Sequence, residues 1–389
     1  MPASRPSESL SPVLPEAVWK RRFRQRVSRW FAAHARDLPW RRTRDPYAIW
    51  VSEIMLQQTQ VATVQDYYSK FLAEFPTVTV LAAADEAAVL RQWEGLGYYR
   101  RARQMHQAAR LIVTQHRGQF PREGESIRAL PGVGRYTAGA IASIAWDARQ
   151  PILEANTIRL FARLLAYRED PRRAAAQRLF WEFAELLLPA KQVGSFNQAL
   201  MELGSTICTP RAPNCAQCPV QQLCPTRRAG LQEVIPAESR KLAYQQVREA
   251  AVIVRRNRQV LLRRCGPGER WAGLWDFPRF VVQSRSAADL ASEAAEQVAQ
   301  LTGQQIRLGR HLTSLKHAVT RFRITLSCHE AEWLGGSPTR DLCWLEPHQL
   351  EDYPLSVTGR RLSRLVQSEP GTEAGPPTAT PAAPGIPNT

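Results

Sequence analysis

Four of the chain's seven cysteines fall between positions 208 and 224, spaced C-x6-C-x2-C-x5-C. Thiols this dense in one short loop bring four sulfurs around a single centre and fix the local chain path more strongly than any apolar pattern can. The odd total and the clustering suit metal ligation in a reducing compartment better than a disulfide framework. Zinc sites usually pair two short knuckles across a longer gap, whereas here only Cys215 and Cys218 form a short pair, with Cys208 and Cys224 in the same loop. The spacing therefore favours a [4Fe–4S] cluster, zinc staying open as the other reading, and a structural role is expected of it. Arg211 inside the loop and Arg227 and Arg228 just after it are placed to set a basic surface against phosphate.

At 389 residues the chain exceeds one ordinary domain, and its periodicity changes once. From 16 to 230 the pattern is helical, opening with Trp19, Phe23, Val27, Trp30 and Phe31 on one stripe at three- and four-residue spacing. An exposed linker is expected at 231–243, where periodicity stops. Beyond it, 250–254 and 259–262 read as a hairpin about the polar turn 255–258, and Phe322, Ile324, Leu326 and Cys328 alternate with Arg321, Arg323, Thr325 and Ser327. With an amphipathic helix at 287–301, this makes 244–366 an α+β domain. Residues 1–15, rich in Ser and Pro, and 367–389, almost wholly Pro, Gly, Ala, Thr and Ser, lack the apolar content to offset chain entropy and are expected to be disordered. No apolar run approaches the roughly 18 residues of a membrane span, and no secretory signal is evident, so a cytosolic protein is expected.

The net charge of +17, from 52 basic and 35 acidic residues, raises the local concentration of polyanions and makes nucleic acid the leading partner, with a merely solvated basic surface as the alternative. Leu130-Pro131-Gly132-Val133-Gly134 precedes a helix of small residues at 135–145. Backbone N–H groups converging at Gly132, Val133 and Gly134, ahead of a helix N-terminus, have the physics of a phosphate clamp that positions without reading sequence; a plain helical hairpin is the other possibility. Two acids interrupt apolar stretches, Glu53 within Ile49-Trp50-Val51-Ser52-Glu53-Ile54-Met55 and Glu154 within Leu153-Glu154-Ala155. Burial raises a carboxyl pKa and keeps a proton available, and cleavage of a glycosidic bond needs both a proton donor and a negative group beside the sugar cation. Composition alone does not pair the two, and for either one an exposed or salt-bridged Glu is the commoner case.

Several motifs together resemble the MutY family of adenine-DNA glycosylases, in the endonuclease III, helix-hairpin-helix superfamily. They are Leu38-Pro39-Trp40-Arg41, Ser52-Glu53-Ile54-Met55-Leu56-Gln57-Gln58-Thr59, Trp93-Glu94-Gly95-Leu96-Gly97-Tyr98-Tyr99, Leu130 to Gly139, and the cysteine loop, in the family's order. The resemblance implies an all-α helix-hairpin-helix glycosylase domain with a [4Fe–4S] loop, followed by a MutT/Nudix-like α+β domain. It implies that Glu53 protonates adenine, that Tyr136 and Asn156 assist, and that Trp40 and Arg41 hold the extruded base. It implies too that Gln58, Thr59, Leu96 and Tyr98 fill or grip the opened duplex, an ordinary core residue being the other reading of Leu96 and Trp40. Tyr136 stands where lyase members carry a Schiff-base Lys, so a monofunctional enzyme is expected. The sequence departs from the family at Glu154, where an Asp is usual, placing the carboxylate that faces the sugar one methylene further out.

The segment Trp271-Ala272-Gly273-Leu274-Trp275-Asp276-Phe277-Pro278 fits the MutT-like domain, but the clustered Glu of the Nudix signature is missing, implying binding without hydrolysis. Leu315-Lys316-His317 replaces a Phe-Ser-His triplet that contacts 8-oxoguanine; Lys316 is able to donate to a carbonyl or phosphate, and His317 keeps its position. The implied partner is double-stranded DNA carrying adenine opposite 8-oxoguanine or guanine, met by a monomer in the cytoplasm that associates with the nucleoid when on DNA. The competing expectations are a glycosylase for thymine or uracil opposite guanine, and a catalytically weak damage-binding protein.

Overall fold

The computed structural model describes residues 16–237 and 243–368, apart from 285, 338 and 340. The chain divides into two compact units, 1–241 and 242–389. The expected disorder at both termini falls outside the described residues, except that Gln367 ends a helix and bonds the Pro347 carbonyl at 3.0 Å.

The first unit is helical: α1 (Ala17–His34), α2 (Pro46–Met55), α3 (Val61–Glu74), α4 (Val78–Ala83), α5 (Glu86–Gln92), α6 (Arg100–His116), α7 (Gly124–Arg128), α8 (Arg135–Trp146), α9 (Ala155–Leu164), α10 (Ala174–Leu187), α11 (Val193–Thr206) and α12 (Pro225–Arg228). The stripe read from the sequence buries Phe23, Val27 and Phe31 of α1 in a core with Phe161, Phe183 and Phe196. By contrast α2 is enclosed on every side, Tyr47 through Met55 all being buried. Pro46 presets its first turn and Asp45 caps it, accepting from the Tyr47 N–H at 3.0 Å. The small residues of α8 let α11 approach closely: a Cβ at Gly194 would lie 2.3 Å from the Ser143 carbonyl oxygen. Asn197 seals that contact, donating to Ser143 Oγ and the Gln150 carbonyl, both at 2.9 Å. Residues 231–237 differ from the exposed linker read from composition. Ile235 is buried in the helical core and its carbonyl accepts from Arg163 Nε at 2.8 Å, so the chain stays on this unit past 230. Apolar Leu231 and Ile235, hidden among Arg, Gly and Pro, are what hold it there.

The second unit is a sheet between two helices. Its strands are β1 (Gln245–Arg256), β2 (Gln259–Arg264), β3 (Trp275–Asp276), β4 (Arg279–Val281), β5 (Gln304–Val319), β6 (Phe322–Gly336) and β7 (Leu342–Leu345), with α13 (Ala287–Thr302) and α14 (Val357–Gln367). The order is β3-β2-β1-β6-β5, with β4 on β1 and β7 on β2. Strand β1 is central and buried on both faces: Ala251 and Ile253 pack with Leu362 and Val366 of α14, whereas Ala250, Val252 and Val254 pack with Ala294 and Val298 of α13. The expected hairpin forms about Asn257, at φ +55°, with Arg256 opposite Gln259. In β6 the alternation holds, Ile324, Leu326 and Cys328 pointing inward.

Candidate active site

A cavity of about 190 Å³ in the helical unit brings together Trp40, Arg41, Glu53, Thr59, Tyr136, Glu154 and Asn156. The fold collects them from five separate stretches of chain. Glu53 sits in the last turn of α2, which its apolar neighbours bury, and among the described residues no cation forms a salt bridge with it. Its Oε2 accepts from the Tyr136 hydroxyl at 2.7 Å. Burial above all, and Glu154 as a second negative group, raise the Glu53 pKa to about 7; the Tyr136 hydrogen bond and Arg41 act the other way. Tyr136 is the second residue of α8, so the Gly132–Gly134 turn aims it; burial and Glu53 hold its phenol well above its ordinary pKa.

Glu154 caps α9. Its Oε1 accepts from Thr157 N at 2.9 Å and its Oε2 from Asn156 N at 2.8 Å and Asn156 Nδ2 at 3.1 Å, while Glu154 N donates to Thr157 Oγ1 at 2.8 Å. The longer arm is thus folded back onto the helix N-terminus, which fixes the carboxylate in space. Burial raises its pKa, opposed by those backbone N–H groups. Asn156 in turn accepts from Arg159 Nη2 at 2.8 Å, and Arg159 Nε donates to the Cys208 carbonyl at 2.7 Å.

Sequence reasoning missed Glu202, a 1% exposed residue of α11 on the same cavity wall. Burial alone would raise it, yet Arg36, bonding both carboxylate oxygens at 2.8 and 2.7 Å, and Arg41 at 2.8 Å hold its pKa down at about 2. The clue was available: Met201-Glu202-Leu203 is a lone acid in an apolar stretch, like Glu53. Trp40 is buried edge-on to Tyr68, ring centroids 5.6 Å apart.

The remaining residues lie elsewhere. Gln58 is exposed at φ +58°, and Tyr98 is 49% exposed at φ +48°, both in loops beside the cavity wall residue Thr59 or the Trp93 turn. Leu96 is 6% exposed and so is a core side chain in this structure. Gly132, at φ +78°, and Gly134 are exposed while Val133 is buried beneath them. In the second unit Lys316 is exposed, and His317 is half-buried, edge-on to Trp271 with centroids 6.5 Å apart. Burial and then Arg279 lower the His317 pKa.

Cys208, Cys215, Cys218 and Cys224 line one cavity, none of them in a disulfide, and Arg163 Nη1 lies 3.3 Å from Cys208 Sγ. An all-thiolate donor set around one shared cavity fits an iron–sulfur cluster.

The helical fold, hairpin and cysteine loop are those of the helix-hairpin-helix superfamily of base-excision DNA-repair proteins. The sequence profile of the HhH-GPD superfamily base excision DNA repair protein matches residues 51–186, that of the iron–sulfur binding domain of endonuclease III matches 208–224, and that of the NUDIX domain matches 249–364. The loop is therefore the seat of a [4Fe–4S] cluster. The chain is 46% identical over 211 residues to the adenine DNA glycosylase of Rattus norvegicus, covering 52% of this chain and 41% of the relative, and 41% identical over 269 residues to that of Homo sapiens, covering 66% and 48%. It is 33% identical over 259 residues to that of Buchnera aphidicola subsp. Schizaphis graminum, covering 66% of this chain and 75% of the relative. The chain belongs to the adenine DNA glycosylase family. It spans about half the length of the mammalian relatives it matches. A solved thermostable thymine-DNA glycosylase superposes with a TM-score of 0.51 at 29% identity, over 55% of this chain and 98% of that one. No helix among the described residues is long and apolar enough to cross a membrane.

Proposed function

We propose that the chain hydrolyses the N-glycosidic bond of adenine opposite 8-oxoguanine or guanine in duplex DNA, leaving an abasic site with the strand intact. The observation that carries this reading is Glu53: a buried carboxyl with a pKa of about 7, facing the same cavity as the N-capping Glu154. With its pKa raised by burial, Glu53 keeps a proton for the base near neutral pH, while Glu154, steadied by the α9 N-terminus, supplies negative charge. The proton passes to the adenine ring, the C1′–N9 bond breaks with its electron pair going to the base, and the sugar becomes an oxocarbenium ion. Glu154 offsets that charge. Water adds to C1′ and gives its proton back to Glu53. Tyr136 orients Glu53 through the 2.7 Å bond and, as a phenol, forms no Schiff base.

In this reading Trp40 and Arg41 line the base pocket, Gln58, Thr59 and Tyr98 grip the opened duplex, Gly132 to Gly134 clamp phosphate, and Lys316 and His317 contact the opposite base. The protein acts as a monomer in the cytoplasm, on the nucleoid when bound to DNA. Its net charge of +17 supports a polyanionic partner. The test is single-turnover cleavage of an end-labelled duplex with adenine opposite 8-oxoguanine, guanine, thymine or cytosine, beside thymine and uracil opposite guanine. Strand breaks only after hot alkali, and only from adenine opposite 8-oxoguanine or guanine, are expected. Excision of thymine or uracil instead, or tight binding without breaks, would overturn it.

A further inference from the structure

Arg101, in the first turn of α6, directs its guanidinium into the protein. Nη1 donates to the carbonyls of Ile54 at 2.8 Å, Met55 at 3.0 Å and Gln57 at 2.5 Å. Nη2 donates to Thr59 Oγ1 at 3.3 Å and to the carbonyls of Leu96 and Gly97, each at 3.2 Å. Its planar head also lies 5.3 Å from the Trp93 ring centroid and 5.7 Å from that of Tyr98. The carbonyls of Ile54 and Met55 are among those a helix end leaves without intrahelical partners, and a cation there also complements the negative end of α2. Two loops separated by some forty residues thereby share one side chain. Each contains a non-glycine residue in left-handed backbone, Gln58 and Tyr98, a conformation that persists only where the surroundings enforce it.

We infer that Arg101 is a positioning residue that clasps the loop after α2 to the loop before α6 into one rigid wedge, and ties that wedge to the turn of α2 carrying Glu53. This rests on the proposed base extrusion. Opening a duplex requires the inserted groups to hold position against the restacking bases, a cost of a few kcal/mol that two independently yielding loops do not sustain. Lys in its place keeps the charge but lacks the planar fork that reaches both loops.

The experiment compares the full-length protein, cluster loaded, with Arg101→Gln and Arg101→Lys. Amide hydrogen exchange is read at 57–59 and 96–99, extrusion by the fluorescence of 2-aminopurine in place of adenine, and excision by single turnover. Excision is run on an otherwise paired duplex and on one whose flanking pairs are mismatched. In Arg101→Gln, exchange rises at least tenfold in both loops together, and extrusion and excision fall together by at least tenfold on the paired duplex. Flanking mismatches restore most of the excision, because the opening is then already supplied. Arg101→Lys falls between, and decides the question if the Gln variant does not fold. Exchange rising in one loop only, or excision lost equally on both duplexes, would overturn the inference. Should the parent protein excise no adenine from any duplex, the functional reading fails by itself, and the exchange data alone decide whether the clasp exists.

Discussion

The helical unit's cavity and the cavity beside β1 in the second unit are both walled by acids, but they are neutralised differently. In the second unit each acid has its own arginine: Glu249 pairs with Arg270, Glu269 with Arg263 and Asp276 with Arg279. In the helical cavity the two wall arginines, Arg36 and Arg41, form their salt bridges with Glu202, whereas Glu53 and Glu154 form hydrogen bonds to Tyr136 and to the α9 N-terminus and feel Arg41 and Arg159 only at a distance. A buried carboxylate held by two arginines, as Glu202 is, stays ionised and serves cohesion, an unmatched one such as Glu53 keeps a proton for chemistry, and Asp276 lies between, burial raising its pKa in spite of Arg279. One pocket contains both cases, with Glu202 at a pKa of about 2 and Glu53 at about 7.

Replacing each acid by its amide separates the two cases. The largest effect is expected for Glu53→Gln, where single-turnover excision should fall by roughly a thousandfold while binding to the mismatched duplex persists, since general acid catalysis typically contributes 10²–10⁴. The parent's rate should decline as pH rises through about 7, as Glu53 loses its proton, and also at low pH, as Glu154 gains one above the ordinary Glu range. A rate flat from pH 6 to 9 would remove Glu53 as the acid.

Next comes Glu202→Gln, which leaves two arginines without a counter-charge and should lower unfolding stability by roughly 3 kcal/mol. Denaturant titration of the helical unit checks this, and a change within error would mean the Arg36–Glu202–Arg41 group is solvated in practice.

Glu53→Gln should act on stability in the opposite sense. A carboxyl whose folded pKa is raised stabilises the fold fully below its unfolded value, near 4.5, and loses that contribution as pH rises through about 7. The amide does not titrate, so relative to the parent it should gain up to about 3 kcal/mol between pH 4.5 and pH 8. Parallel stability curves for the two proteins would contradict the unmatched state of Glu53. The smallest effect is expected of Glu249→Gln in the second unit, a loss of about 1 kcal/mol, because a single arginine, Arg270, loses its partner and, 30% exposed, can turn to water. Melting of that unit tests it, and a loss as large as that of Glu202→Gln would erase the distinction between one arginine losing its partner and two.

Much of this architecture was legible in the chain. Aromatic spacing in α1, the alternation in β6 and the turn at Asn257 are local patterns, and local patterns survive folding wherever one face of an element meets a core. Glu53 was legible because a carboxyl set in so apolar a stretch is buried along with the helix that carries it. Glu202 carried the same signal, but nothing nearby in sequence suggested that α11 shares a cavity with α2 and α8. Arg101 was not legible at all: it stands between Arg100 and Arg103, and only the helix direction selects it to turn inward. Leu96 takes the core placement that was open for it, and within 231–237, expected to be exposed, Leu231 and Ile235 pack on the core. That segment was misjudged because its neighbours in sequence are polar or glycine-rich while its neighbours in space are not.

By itself the sequence determined the succession of helices and strands, the cysteine loop, and the two buried acids as candidates for proton chemistry. These depend on residue type and short-range period, which a chain carries before it folds. Only the tertiary structure decided which acids keep a proton, because pKa follows from burial and from partners such as Arg36, Arg41 and Tyr136 that arrive from distant segments.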